Sequence, residues 1–111
     1  MMAAATIATV VGMDRARISR ALEGRARYRY VRPRVLAQAQ GWKIVSPNCS
    51  RNIDPQGGDI DIALLLPDPD GGWLVHARDH AAGCWLLKGG HPTLAQALAQ
   101  VCTDPDREFW P

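Results

Sequence analysis

Three short apolar runs, each fenced by turn residues, constrain this chain more than any other feature. Residues 60–66, 73–78 and 84–88 are rich in Ile, Leu, Val and Trp, and Gly pairs, Pro or Asp stand at their ends. Runs of that length and composition read as strands, and the turn-rich connections 67–72 and 79–83 make them an antiparallel meander. Residues 42–46 read as one more strand. Between them and the meander, residues 47–58 collect two Pro, two Asn, a Ser and a Gly pair, which marks a long connection and the best place for a boundary between two modules. Thr93 with Gln96 three residues later forms a capping box, opening a helix whose Leu94, Leu98 and Val101 can lie on the sheet. Phe109 and Trp110 close the chain and are too large and apolar to be left in water. At 111 residues the chain has the length of one typical domain, or of a small module joined to another.

The charge is unevenly placed. Residues 1–43 carry eight Arg and one Lys against Asp14 and Glu23, a net +7, whereas residues 44–111 carry four cations against nine acids, a net −5. A front of that sign suits a polyanion such as nucleic acid, and the rear would be repelled by it. Cys49, Cys84 and Cys102 are odd in number and widely spaced, which argues for reduced thiols rather than a disulfide framework or a zinc finger. No apolar run approaches the ~20 residues of a bilayer span, and the Ala-rich start has no basic flank of a secretory signal. A cytoplasmic location is expected.

Within the basic front, residues 3–11 have helical spacing and Gly12 stands where a helix can stop. Asp14 can cap a second helix over residues 14–22, closed by Gly24, with Ile18, Ala21 and Leu22 on one face. Ala8, Gly12 and Ile18 are the small, turning and anchoring residues that a DNA-reading helix-turn-helix needs. Arg15, Arg17 and Arg20 are then free for phosphates and guanine edges. Arg25, Arg27 and Arg29, the last two alternating with Tyr28 and Tyr30 in a wing, strand or loop, would sit mainly on phosphate. Pro33 can open a third helix over residues 34–40, ended by Gly41.

The series Ile7-Ala8-x-x-x-Gly12-Met13-Asp14-x-x-x-Ile18-Ser19-Arg20-Ala21-Leu22-x-Gly24 resembles the headpiece of lactose-repressor-type regulators over about residues 3–42. That resemblance implies Arg15, Ala16 and Arg20 nearest the base edges, with Thr6 and Ser19 near the DNA backbone. Asp14 stands where that family usually has Ser or Thr, and the 65 or so residues behind are too few for its effector-binding core.

The expected fold is therefore α+β: an N-terminal helix-turn-helix three-helix unit over residues 1–46, then a three- to four-stranded antiparallel sheet with a C-terminal helix over residues 47–111. The expected function is a small sequence-specific DNA-binding transcriptional regulator that reads the major groove of double-stranded DNA with residues 14–22. It is expected to work as a homodimer joined through the rear module, with no catalytic chemistry, cofactor or metal. Two alternatives compete with it. One is an accessory or inhibitor module whose basic front meets a partner protein's acidic surface. The other rests on Gly58-Asp59-Ile60-Asp61-Ile62, which faintly resembles the metal-binding strand of PD-(D/E)xK nucleases; the acid–Lys pair expected on the next strand is absent from residues 75–80. His76, His80, Cys84 and His91 have no zinc-site spacing on strands.

Overall fold

The computed structural model describes residues 2–26, 31–47 and 58–110, with side chains from Met13 onward. Helix α1 (Met2–Glu23) leads into five strands, β1 (Arg34–Ala37), β2 (Trp42–Pro47), β3 (Asp59–Pro67), β4 (Trp73–Asp79) and β5 (Cys84–His91), and helix α2 (Leu94–Thr103) follows. The strands lie in sequence order in one sheet, and every pairing is antiparallel. The meander and the capped C-terminal helix match the pattern read from the sequence. Thr93 caps α2 as its spacing predicts, its Oγ1 accepting from the Gln96 amide at 3.2 Å.

The front half is built differently from the sequence expectation. The α+β class stands, but the helix-turn-helix three-helix unit is replaced by one unbroken helix, and the sheet has five strands instead of three or four. Gly12 lies inside α1 and does not turn the chain. One Gly costs a helix only about 1 kcal/mol relative to Ala, a penalty that the rest of a 22-residue helix can absorb. Docking of Ile18 and Leu22, both fully buried, adds tertiary support to the C-terminal portion of that helix. The segment expected as a third helix is strand β1. Its Val35 and Ala37 pair with Ile44 and Trp42, so β2 satisfies a backbone that four residues could not satisfy as a helix. Gly41 is not a helix stop. It sits in the β1–β2 turn, where a Cβ would lie only 2.0 Å from the Leu65 carbonyl oxygen.

Two extra residues, one in β3 and one in β5, fix which side chains meet the helices. Ile44 pairs with Ala63 and Val45 with Asp61, so Ile62 is supernumerary in β3. Val75 pairs with Gly89 and His76 with Leu87, so Lys88 is supernumerary in β5. The first bulge lets Ile60, Ile62, Ala63 and Leu65 all reach the core although they break strict alternation. Both helices cover the same sheet face. α1 packs on β1 and α2, and α2 packs on β4 and β5. One buried cluster joins Ile18 and Leu22 of α1 to Trp42, Ile44, Leu65 and Val75 of the sheet and to Leu98, Val101 and Trp110. The boundary expected between residues 1–46 and residues 47–111 thus runs through β2, with the core shared on both sides of it.

The acidic tail closes that core. Asp104, 1% exposed, ends α2 in the left-handed region at φ 37°. Its Oδ1 accepts from the Glu108 amide at 2.7 Å and its Oδ2 from the Trp110 amide at 2.8 Å, while the Phe109 amide reaches both oxygens at 3.2 Å. A carboxylate holding three consecutive amides turns the tail back, so that Phe109 and Trp110 are buried. Trp110 donates its Nε1–H to the Val101 carbonyl at 3.0 Å, as a buried indole must. The expectation that these two aromatics pack inside is met.

Asp104→Ala should therefore lower the unfolding free energy by about 2–4 kcal/mol, through stranded amides and a strained left-handed residue. Asp104→Asn, which tolerates that backbone region and keeps one acceptor oxygen, should lose less. Urea denaturation of the three proteins measures both.

Candidate functional site

The sequence-predicted site residues scatter once α1 is a single helix. Thr6 lies on the stretch of α1 of which only the backbone is described. Arg15 sits over the Trp42 ring, 5.2 Å from its centroid, and so is turned toward the sheet. Ala16 and Ser19 are exposed on the helix, Ala16 one turn from Arg20 and Ser19 one turn from Arg15. Arg17 pairs with Asp14 one turn earlier at 3.7 Å. Arg25, expected on phosphate, is only 4% exposed. Its guanidinium donates to the Leu22 and Val31 carbonyls and lies over Trp110 at 5.2 Å. Arg27 and Arg29 are outside the described residues. A bent pair of helices offering these arginines to a groove is not what the chain forms.

Further cations are taken up by acids on the other side of the sheet. Arg34 pairs with Asp59, and Asp61 is held by Lys43 at 3.3 Å and by Arg78 at 3.7 Å. The register puts these groups on the face opposite the helices. Asp59 and Asp61, the acids of the nuclease-like alternative, are thus each matched by a side-chain cation. Arg78 also stacks on Trp85 at 5.1 Å. Next to this network, burial and the Arg78 charge hold the His80 imidazole below its ordinary value, against the pull of Asp61 and Asp79. Among the described residues no group of three His, Cys, Asp or Glu side chains could hold a metal ion.

What the two helices do create is a groove of about 360 Å³ between them. Its floor is apolar: Ala21 from α1, with Leu94, Leu98 and Cys102 from α2. Arg17 and Arg20, one turn apart on α1, form one rim, and the small Ala95 and Ala99 of α2 form the other. Both arginines are among the sequence-predicted residues, but the floor is not, because it exists only where α1 and α2 run side by side. Leu94 and Leu98 give a helical i, i+4 signal that says one face is apolar, without saying that some of it borders a second helix. Cys102 belongs to the floor as an apolar group. Burial pushes its thiol up despite the opposing Arg25 charge, and its Sγ–H donates to the Ala21 carbonyl at 3.5 Å. A second depression, about 480 Å³, is lined by Ser19, Arg25 and Arg32.

Residues 8–111 match the family model described as a domain of unknown function, DUF3024, and the chain belongs to that family. No curated protein and no solved structure matches it. Among the described residues no helix is long and apolar enough to cross a membrane.

Two chemical contrasts follow from these surroundings. Alkylation by iodoacetamide at neutral pH should modify exposed Cys84 well before Cys102, by ~10-fold or more in rate, which peptide mapping resolves. Because His80 binds its proton less readily folded than unfolded, it contributes stability above the ordinary His value of 6.5. That contribution is lost as pH falls through 6.5 toward the lower folded value. His80→Gln should flatten the fall in denaturation midpoint between pH 7.5 and 5.5.

Proposed function

We propose that this chain is a non-catalytic protein-interaction module that takes an amphipathic helix with acidic flanks into the α1/α2 groove. The observation that carries the reading is the pairing of an apolar floor with a two-arginine rim. Apolar anchors at i, i+3/i+4 and i+7 of a bound helix would cover Ala21, Leu94 and Leu98. Carboxylates beside those anchors would meet Arg17 and Arg20, steering the encounter and rejecting basic partners. The small Ala95 and Ala99 let a third helix approach closely on the other side.

The regulator reading has less charge to draw on. Of the front cations with described side chains, Arg15 stacks on Trp42, Arg25 is interior, and Arg34, Lys43 and Arg17 face carboxylates. Among the described residues Arg20 and Arg32 have no carboxylate partner, and the exposed Arg17–Asp14 pair can open toward a phosphate as well as toward a partner's carboxylate. Nucleic-acid binding remains the second reading, favoured by the position of Arg20 on the exposed side of α1. Cys84 and Cys102 are free thiols, which suits a cytoplasmic setting for either role.

Selection of displayed 16-residue peptides on the whole protein tests the proposal. Enriched sequences should show apolar residues at helical spacing flanked by Asp or Glu. Arg17→Glu with Arg20→Glu should weaken them at least ~10-fold, and added salt should weaken them modestly. Enrichment of no such pattern, together with tight binding of random duplex that falls steeply with salt, would replace this reading by the nucleic-acid one.

A further inference from the structure

The two edges of the sheet are unlike. β1 spans four residues, follows Pro33, and begins with Arg34 held by Asp59. Shortness, proline and charge are the usual means of keeping an edge from pairing. β5 has none of these protections over its first half. It spans eight residues without proline, and its consecutive Leu86 and Leu87 are 41% and 60% exposed. The register puts Leu86, opposite Ala77, on the helix side of the sheet, and Leu87, opposite His76, on the other.

Neighbouring strand residues point to opposite faces, so a ligand lying on either face would cover only one of these leucines. A strand laid along the edge covers both. We propose that the occupant is β5 of a second copy, paired antiparallel about a twofold axis at Leu86.

The pattern of β5 is self-complementary in that register, whereas centring on Trp85 would pair only residues 84–86 and set Leu87 against Gly83. Leu86 opposes its own copy on the helix side, and on the other face Trp85 opposes Leu87 of the partner subunit, twice by symmetry. Aromatic–aliphatic and aliphatic pairs of this kind are the favourable cross-strand contacts. Shifting by one residue would set side chains of opposite faces against each other, which the pleat forbids. Centring on Leu87 instead would set Trp85 against Gly89 and Leu86 against Lys88. The chosen register also brings no like charges together, because Lys88 opposes Cys84 and is already paired with Glu108 at 3.6 Å.

The extra residue at Lys88 bends the strand, and Gln100 of α2 lies against Gly89, so the new ladder ends after five residues on each chain. An interface this small makes a dimer that forms at roughly micromolar concentrations and comes apart on dilution.

Sedimentation velocity of the whole protein from about 1 to 500 µM should show a shift from 12.1 kDa monomer to dimer. Leu86→Lys should move that transition at least tenfold higher in concentration, while Ala95→Glu, in the groove between the helices, leaves it in place. Amide hydrogen exchange of the unmodified protein gives a second readout that needs no variant. Residues 84–88 should gain protection as concentration rises. A monomer throughout, a dimer indifferent to Leu86→Lys but broken by Ala95→Glu, or exchange at 84–88 independent of concentration would each overturn the proposal.

Discussion

The buried carboxylate of Asp104 is the interaction on which the rest of the architecture leans. It gathers the amides of residues 108–110, and that turn carries Phe109 and Trp110 into a core that the sheet alone could not fill. Trp110 in turn lies under the guanidinium of Arg25, which ties down the Leu22 carbonyl at the end of α1 and the Val31 carbonyl ahead of β1. The Ala26 amide bonds the Cys102 carbonyl at 2.9 Å, closing the circuit between the ends of the two helices. The groove between α1 and α2 inherits its width from this circuit, because their C-terminal ends are fastened to each other through the tail.

Charge is distributed by a similar sharing. The basic front looks like a surface built for polyanions when it is counted along the chain. In three dimensions its members are divided between aromatic rings, backbone carbonyls and the acids of the rear half. Arg34 reaches Asp59, Lys43 reaches Asp61, and Arg78 both pairs with Asp61 and covers Trp85. Partly exposed pairs of this type contribute little each, so their main effect is on what the front half leaves for solvent: among the described residues, Arg20 on α1 and Arg32 ahead of β1.

The elements that can be read directly from sequence are those decided within a few residues. Turn chemistry at 67–72 and 79–83 fixes where β3 ends, where β4 begins and ends and where β5 begins, and Thr93 with Gln96 fixes where α2 begins. The front half is not legible in that way because its choices are tertiary. Gly12 is a weak breaker whose cost is small, and residues 34–37 become a strand only because β2 lies beside them. Site residues are obscured for a similar reason. Whether an arginine meets a phosphate, an indole or an aspartate depends on groups distant in sequence, such as Trp42 for Arg15 and Trp110 for Arg25. Of the residues that define the groove, only Arg17 and Arg20 stand out in the sequence, since its floor requires two helices whose contact no local pattern encodes.

The supernumerary Ile62 and Lys88 are two places where this sheet can lose a residue and keep its faces. Removing either one would leave a regular ladder, with Asp61 and Ala63 still opposite Val45 and Ile44, and Leu87 and Gly89 still opposite His76 and Val75, whereas removing one residue well away from a bulge would turn part of its strand inside out. A gap of a single residue at Ile62 or Lys88 therefore straightens the strand and takes away its bend, without exchanging the two faces of the sheet.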